Sequence, residues 1–116
     1  MEKHLKDFVW KWGKNKPWFP DDYCNPAATE LQKMLKEKYG IETKKAFSYT
    51  EPGVGHTFLI DTEGNIIDPT YGQFDSSYKD GFYGKEFPDK TLQQNIIEGK
   101  EYMELQKQRL QDGLYE

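Results

Sequence analysis

Apolar positions recur at helical spacing over the first forty residues. Leu5, Phe8, Val9 and Trp12 fall at i, i+3, i+4 and i+7, which predicts one face of a short helix over residues 3–12 that stops at Gly13. Residues 14–23 hold Pro17 and Pro20 among aromatics and acids and read as an aromatic-bearing loop. A second helix is predicted over 25–39, with Asn25 as N-cap and Pro26 in the first helical position. Its apolar stripe is Ala28, Leu31, Met34, Leu35 and Tyr39, and Gly40 ends it.

Strands follow. TKKAFSYT (43–50), HTFLID (56–61) and NIIDPT (65–70) are the candidates, with a Pro/Gly loop from Glu51 to Gly55 between the first two. Thr62-Glu63-Gly64 joins the last two, and Gly as the third residue of such a connection matches a type I turn closed by a bulge. Residues 71–89, rich in Gly, Tyr, Phe, Ser and Asp, predict an irregular wrap over the sheet. A final helix is predicted over 90–112, with Leu92, Ile96, Met103 and Leu110 inward and Gly99 weakening it. Helix, helix, antiparallel strands, helix is the order of an α+β domain.

The chain has 116 residues, which predicts a single domain over 1–116. Only 35% of residues are hydrophobic, but aromatics reach 16%, and each can bury roughly 150–250 Å². The net charge of -4 and short basic pairs such as Lys44-Lys45 argue against a nucleic-acid partner. No apolar run approaches the roughly 20 residues of a bilayer span, and Met1-Glu2-Lys3-His4 leads into an amphipathic segment rather than a signal-peptide core. The single cysteine has no partner for an internal disulfide and suits a reducing compartment. These features predict a cytoplasmic monomer with no membrane or nucleic-acid partner, and leave delivery into another cell open.

That cysteine is also the candidate for chemistry. If Thr62 to Gly64 form the hairpin loop, Asp61 pairs with Asn65, Phe58 with Asp68 and His56 with Thr70. His56 and Asp68 then share a face as diagonal neighbours, with Cα atoms roughly 5.5–8 Å apart. A carboxylate there fixes the imidazole tautomer and stabilises the imidazolium. Cys24 sits at the start of the second helix, where unpaired N–H groups favour a thiolate and can serve an oxyanion. Each residue has a plainer reading: Cys24 as a small buried hydrophobe, His56 as a loop-closing polar residue, Asp68 as an Asp-Pro turn starter. Jointly they form a nucleophile, a base and an orienting acid.

The segments YCNPAATEL, GHTFLID and IIDPTYGQF resemble the core of the transglutaminase-like, papain-related cysteine enzymes. There a cysteine opens a helix, and histidine and aspartate follow on adjacent antiparallel strands. The likeness covers about residues 22–75 and is closest to bacterial members carrying DPT, two variable residues and QF, as Asp68-Pro69-Thr70 and Gln73-Phe74 do here. It implies a nucleophile helix packed on a small antiparallel sheet, and Cys24, His56 and Asp68 as the triad. Asn25 replaces the tryptophan that often follows the transglutaminase cysteine, and Trp18 stands where papain-type enzymes have an upstream glutamine. The Arg-Gly-Gly approach of the arylamine acetyltransferases is missing. Asn15, Asn25 and Gln73 are therefore the candidate oxyanion or substrate-positioning amides. Trp18 and Phe19 are candidates for lining a substrate cleft, while the wider cluster of Trp10, Trp12, Trp18, Phe19 and Tyr23 reads first as core.

No paired Cys or His suggests a zinc site, and neither a dinucleotide nor a P-loop motif is present, so no metal or cofactor is expected. The expected chemistry is acyl transfer through a Cys24 thioester on a protein substrate, by deamidation or transamidation of glutamine side chains. A cysteine peptidase or isopeptidase, and a non-catalytic binding domain on a degenerate papain-like core, are the alternatives.

Overall fold

A computed structural model describes residues 1–51 and 54–98. The described chain forms three helices and a five-stranded sheet. Helix α1 spans Glu2–Gly13 and α2 spans Cys24–Tyr39. Strands β1 (Thr43–Glu51), β2 (Val54–Asp61) and β3 (Ile66–Asp68) follow, then a 3₁₀ turn at Tyr71–Gln73. Strand β4 (Phe82–Gly84), helix α3 (Lys90–Gln94) and strand β5 (Ile97–Glu98) complete the α+β arrangement. The sheet order is β4-β3-β2-β1-β5, and every neighbouring pair is antiparallel.

Both sheet faces are covered. Leu5, Phe8 and Val9 of α1 pack with Ala27, Ala28, Leu31 and Leu35 of α2 onto Leu59 and Ile67. On the other face Ala46, Phe58 and Ile66 meet Tyr71, Phe87 and Leu92. The region from 71 to 89 thus wraps that face, but it also contributes β4, which the sequence reading left irregular.

Helix α1 follows its predicted stripe, with Trp12 partly buried against the same core. Gly13 is its last residue, and the Phe19 ring lies on it; a Cβ there would come within 2.6 Å of that ring. Helix α2 begins two residues earlier than predicted. Tyr23 is the N-cap, Cys24 the first helical residue and Pro26 the third, and Asn25 makes no side-chain cap. Proline is tolerated there because first-turn amides have no intrahelical acceptor. Gly40 is left-handed at φ 67° and, as predicted, ends the helix, its amide and that of Ile41 closing onto the carbonyls of Lys36 and Leu35. Tyr39 departs from the stripe: it is exposed and stacks on His4, ring centroids 3.8 Å apart.

The predicted hairpin register holds where β2 and β3 pair, with Leu59 opposite Ile67 and Ile60 opposite Ile66. Asp61 Oδ1 accepts the amides of Glu63 and Asn65, and Gly64 closes the turn at φ 82°. A side chain at that φ is strained, so Gly64→Val should cost about 1 kcal/mol or more in a denaturant melt. The pairing expected between His56 and Thr70 does not form, because β3 ends at Asp68. Pro69 has no N–H to donate, and Asp68 Oδ1 takes the Thr70 amide at 3.0 Å, which turns the chain out of the sheet.

The last predicted helix begins at Lys90 as expected but ends early. Asp89 caps α3 through the Leu92 amide, but the helix stops at Gln94, and Ile97 and Glu98 pair with Phe47 and Ala46 of β1. The β-branched Ile97 and the free edge of β1 outweigh helical periodicity there. Leu92 is buried as expected, and Ile96 packs on the core from outside the helix. The expected positions of Gly99, Met103 and Leu110 lie outside the described residues.

Candidate active site

Asp68 is fully buried and divides its carboxylate. Oδ1 accepts the Thr70 amide and hydroxyl, at 3.0 and 3.3 Å, while Oδ2 lies 2.6 Å from His56 Nε2. The plain reading and the contact to the imidazole therefore coexist: one oxygen forms the Asp-Pro turn and the other faces the His56 ring. His56 is 2% exposed and is enclosed by Phe58, Phe74 and Phe87, with Phe74 edge-on at 4.8 Å.

With Nε2 facing Asp68, Nδ1 is the ring nitrogen left for other partners. Cys24 is half-buried at the start of α2, and the groups that act to hold its thiol acidic are the His56 side chain and the Thr57 backbone. The ladder explains the access. Pairing between β2 and β3 ends at Leu59 and Ile67, whereas β2 continues back to Val54, so the helix end meets β2 where β3 has turned away.

Electrostatics favour an ion pair. Burial pushes the Cys24 thiol up, but hydrogen bonds from His56 and the Thr57 amide, with the imidazolium charge, outweigh it and hold the thiol below its ordinary value. Burial likewise disfavours charge on His56, yet the Asp68 carboxylate and the contact with Cys24 raise it to about 9. These groups act on Cys24 and His56 in the direction of a thiolate facing an imidazolium.

The helix end supplies further donors. The amides of Cys24 and Asn25 precede the first intrahelical bond, Pro26 has none, and Ala27 N–H already donates to Tyr23 O at 2.9 Å. Among the described residues no hydrogen bond takes the Cys24 or Asn25 amide, so both are available at the helix end to a developing oxyanion.

The candidate amides divide. Gln73 reaches the site, with Nε2 3.3 Å from His56 Nδ1 and 3.4 Å from Thr70 Oγ1. The Asn25 side chain is held by Lys45, whose ammonium donates to Asn25 Oδ1 at 3.2 Å and also to the Thr29 hydroxyl. Asn15 is exposed in the turn after α1, and no hydrogen bond among the described residues joins it to Cys24 or His56.

Phe19 turns inward onto Trp12 and Tyr23 and lines a cavity of about 400 Å³ with Val9, Trp10, Pro20, Pro69 and Gly72. Trp18 turns outward, 83% exposed at φ 62°. Trp10 is 61% exposed, its indole N–H donating to Asp80 Oδ1, so of the aromatic cluster Trp12 and Phe19 pack against the core and Tyr23 lies on their rings.

Three contributors escaped the sequence reading. The Thr57 amide carries no side-chain signal, and Lys45 becomes visible only once α2 lies across β1. Thr70 was legible in principle, since Asp-x-Thr is an Asx-turn pattern. Among the described residues no group of three or more His, Cys, Asp or Glu side chains is placed to hold a metal, and no helix is long and apolar enough to cross a membrane. Comparison with family models, curated proteins and solved structures finds no match to this chain.

Proposed function

We propose that this chain is a cysteine-dependent acyl-transfer enzyme of transglutaminase-like, papain-related type, acting on protein glutamine carboxamides. The observation that carries the reading is the buried His56–Asp68 contact at 2.6 Å, with Cys24 at a helix N-terminus and its thiol held acidic by His56. The Cys24 thiolate adds to the amide carbonyl carbon, and the amides of Cys24 and Asn25 stabilise the oxyanion. His56 transfers its Nδ1 proton to the leaving nitrogen, which departs as ammonia and leaves a thioester on Cys24. Neutral His56 then takes a proton from water, whose oxygen displaces the sulfur to give glutamate; a primary amine in place of water gives a crosslink.

Glutamine fits the access to the sulfur. Cys24 is half-buried, so a reacting carbonyl must be delivered on a stem, and glutamine carries a primary carboxamide at the end of a flexible one. Intact-mass analysis of candidate proteins after incubation with wild type and Cys24→Ala tests the proposal. A gain of about one dalton per site means deamidation, and a loss of about seventeen means crosslinking. Fragments would replace this reading with a peptidase. Unchanged masses together with stable binding of a partner would replace it with a binding domain.

A further inference from the structure

Gln73 comes from the 3₁₀ turn that directly follows the Asp68 turn, and its amide sits between Thr70 Oγ1 and His56 Nδ1. Donor counting fixes which end of the amide faces inward. The Thr70 hydroxyl proton is directed to Asp68 Oδ1, so Oγ1 offers only lone pairs to Gln73. The group facing Thr70 must therefore be the NH₂ and not the carbonyl. The same nitrogen lies 3.3 Å from Nδ1, so its second hydrogen points at the imidazole.

A donor aimed at Nδ1 has a definite consequence. Nε2 keeps its proton against Asp68, so Nδ1 is a lone pair in the neutral ring and an N–H in the imidazolium. Gln73 can donate only to the lone pair. It therefore stabilises neutral imidazole opposite a thiol, and opposes the imidazolium that a thiolate needs. Cys24 from α2 and Asp68 from β3 are the titratable groups acting on the ring, and Phe58, Phe74 and Phe87 pack on its other sides.

We propose that Gln73 is a positioning residue that restrains ionisation of the Cys24–His56 pair through its hydrogen bond to Nδ1. A substrate carbonyl entering beside the sulfur offers the amide N–H a competing acceptor. Moving that donor from Nδ1 to the incoming oxygen releases the ring to take the thiol proton, which couples activation of the nucleophile to occupancy of the site. This inference rests on the triad reading above.

The test is the pH dependence of Cys24 alkylation by iodoacetamide, which needs no substrate, in wild type, Gln73→Leu and Gln73→Met. Removing one neutral hydrogen bond should move the thiol midpoint down by about 0.5–1 pH unit in both variants. The ¹⁵N shifts of the His56 ring should report more imidazolium at a given pH. Gln73→Met retains an unbranched chain of similar length and covers the case in which Gln73→Leu fails to fold. A midpoint that is unchanged or raised while wild-type Cys24 remains acidic would overturn the role of Gln73 and leave the triad standing. If turnover fell with that unchanged midpoint, Gln73 would be an oxyanion donor instead. A wild-type midpoint at the ordinary thiol value would overturn the triad itself.

Discussion

Asp68→Asn is expected to lower turnover by roughly 10⁴-fold while leaving most of the stability in place. The reason lies in how the carboxylate is divided. Asparagine can keep its carbonyl oxygen on the Thr70 amide and hydroxyl, preserving the turn that ends β3. Its NH₂ then occupies the position of Oδ2, 2.6 Å from His56 Nε2, where two donors cannot face each other. The ring must shift its proton to Nδ1, so neutral His56 can no longer accept a proton from Cys24 or from water. Asp68→Ala removes both functions. It leaves His56 and Thr70 without their buried acceptor and should add a stability loss of about 3–5 kcal/mol. Steady-state kinetics and denaturant melts of the two variants separate the roles. A mere turn former would be neutral to Asp68→Asn in both measurements.

The second large effect is on pH dependence. Activity requires the thiolate and the imidazolium together, so turnover should rise as Cys24 ionises, below the ordinary thiol range, and fall as His56 loses its proton near 9. These limbs belong to the coupled pair rather than to either residue alone. Stability follows with a fixed sign. His56 binds its proton more tightly when folded, so its contribution is fully present below about 6.5 and is lost as pH rises through about 9. Cys24 has the opposite sense: its contribution is present above the ordinary thiol value of about 8.5 and is lost as pH falls through its lowered folded value. The two slopes oppose each other at neutral pH, and the decline from His56 emerges on the alkaline side. Chemical denaturation at pH 7 and pH 10 should therefore register a loss in wild type that is reduced in His56→Ala.

How much of this was legible depended on whether side chains or backbone carried the signal. The hairpin could be read because Gly64 fixes the loop and the loop fixes the register, which brings His56 and Asp68 to one face before any packing is known. The start of α2 was displaced by two residues because the first turn accepts Pro26 at its third position as well as its first, and Tyr23 is an unmarked N-cap. Strand β4 is only Phe82–Gly84, too short to display a period of two. The end of α3 depended on a long-range partner, since Ile97 joins a strand some fifty residues earlier in the chain, facing Phe47. At the site, the His56–Asp68 contact and the place of Cys24 near the helix start were legible, and the groups around them were less so. The role of Gln73 depends on a Thr70 hydroxyl whose proton is already committed, and that of Thr57 on a backbone amide exposed by the early end of β3.

The central claim is that Cys24 is an activated nucleophile paired with His56. Its most direct measure is the rate of iodoacetamide alkylation of Cys24 against pH, read by intact mass in wild type and in His56→Ala. The account predicts a wild-type midpoint well below about 8.5, and a return to about 8.5 or above in His56→Ala, where the buried thiol loses its cation. A wild-type midpoint at or above 8.5, or one that His56→Ala leaves unmoved, would contradict it.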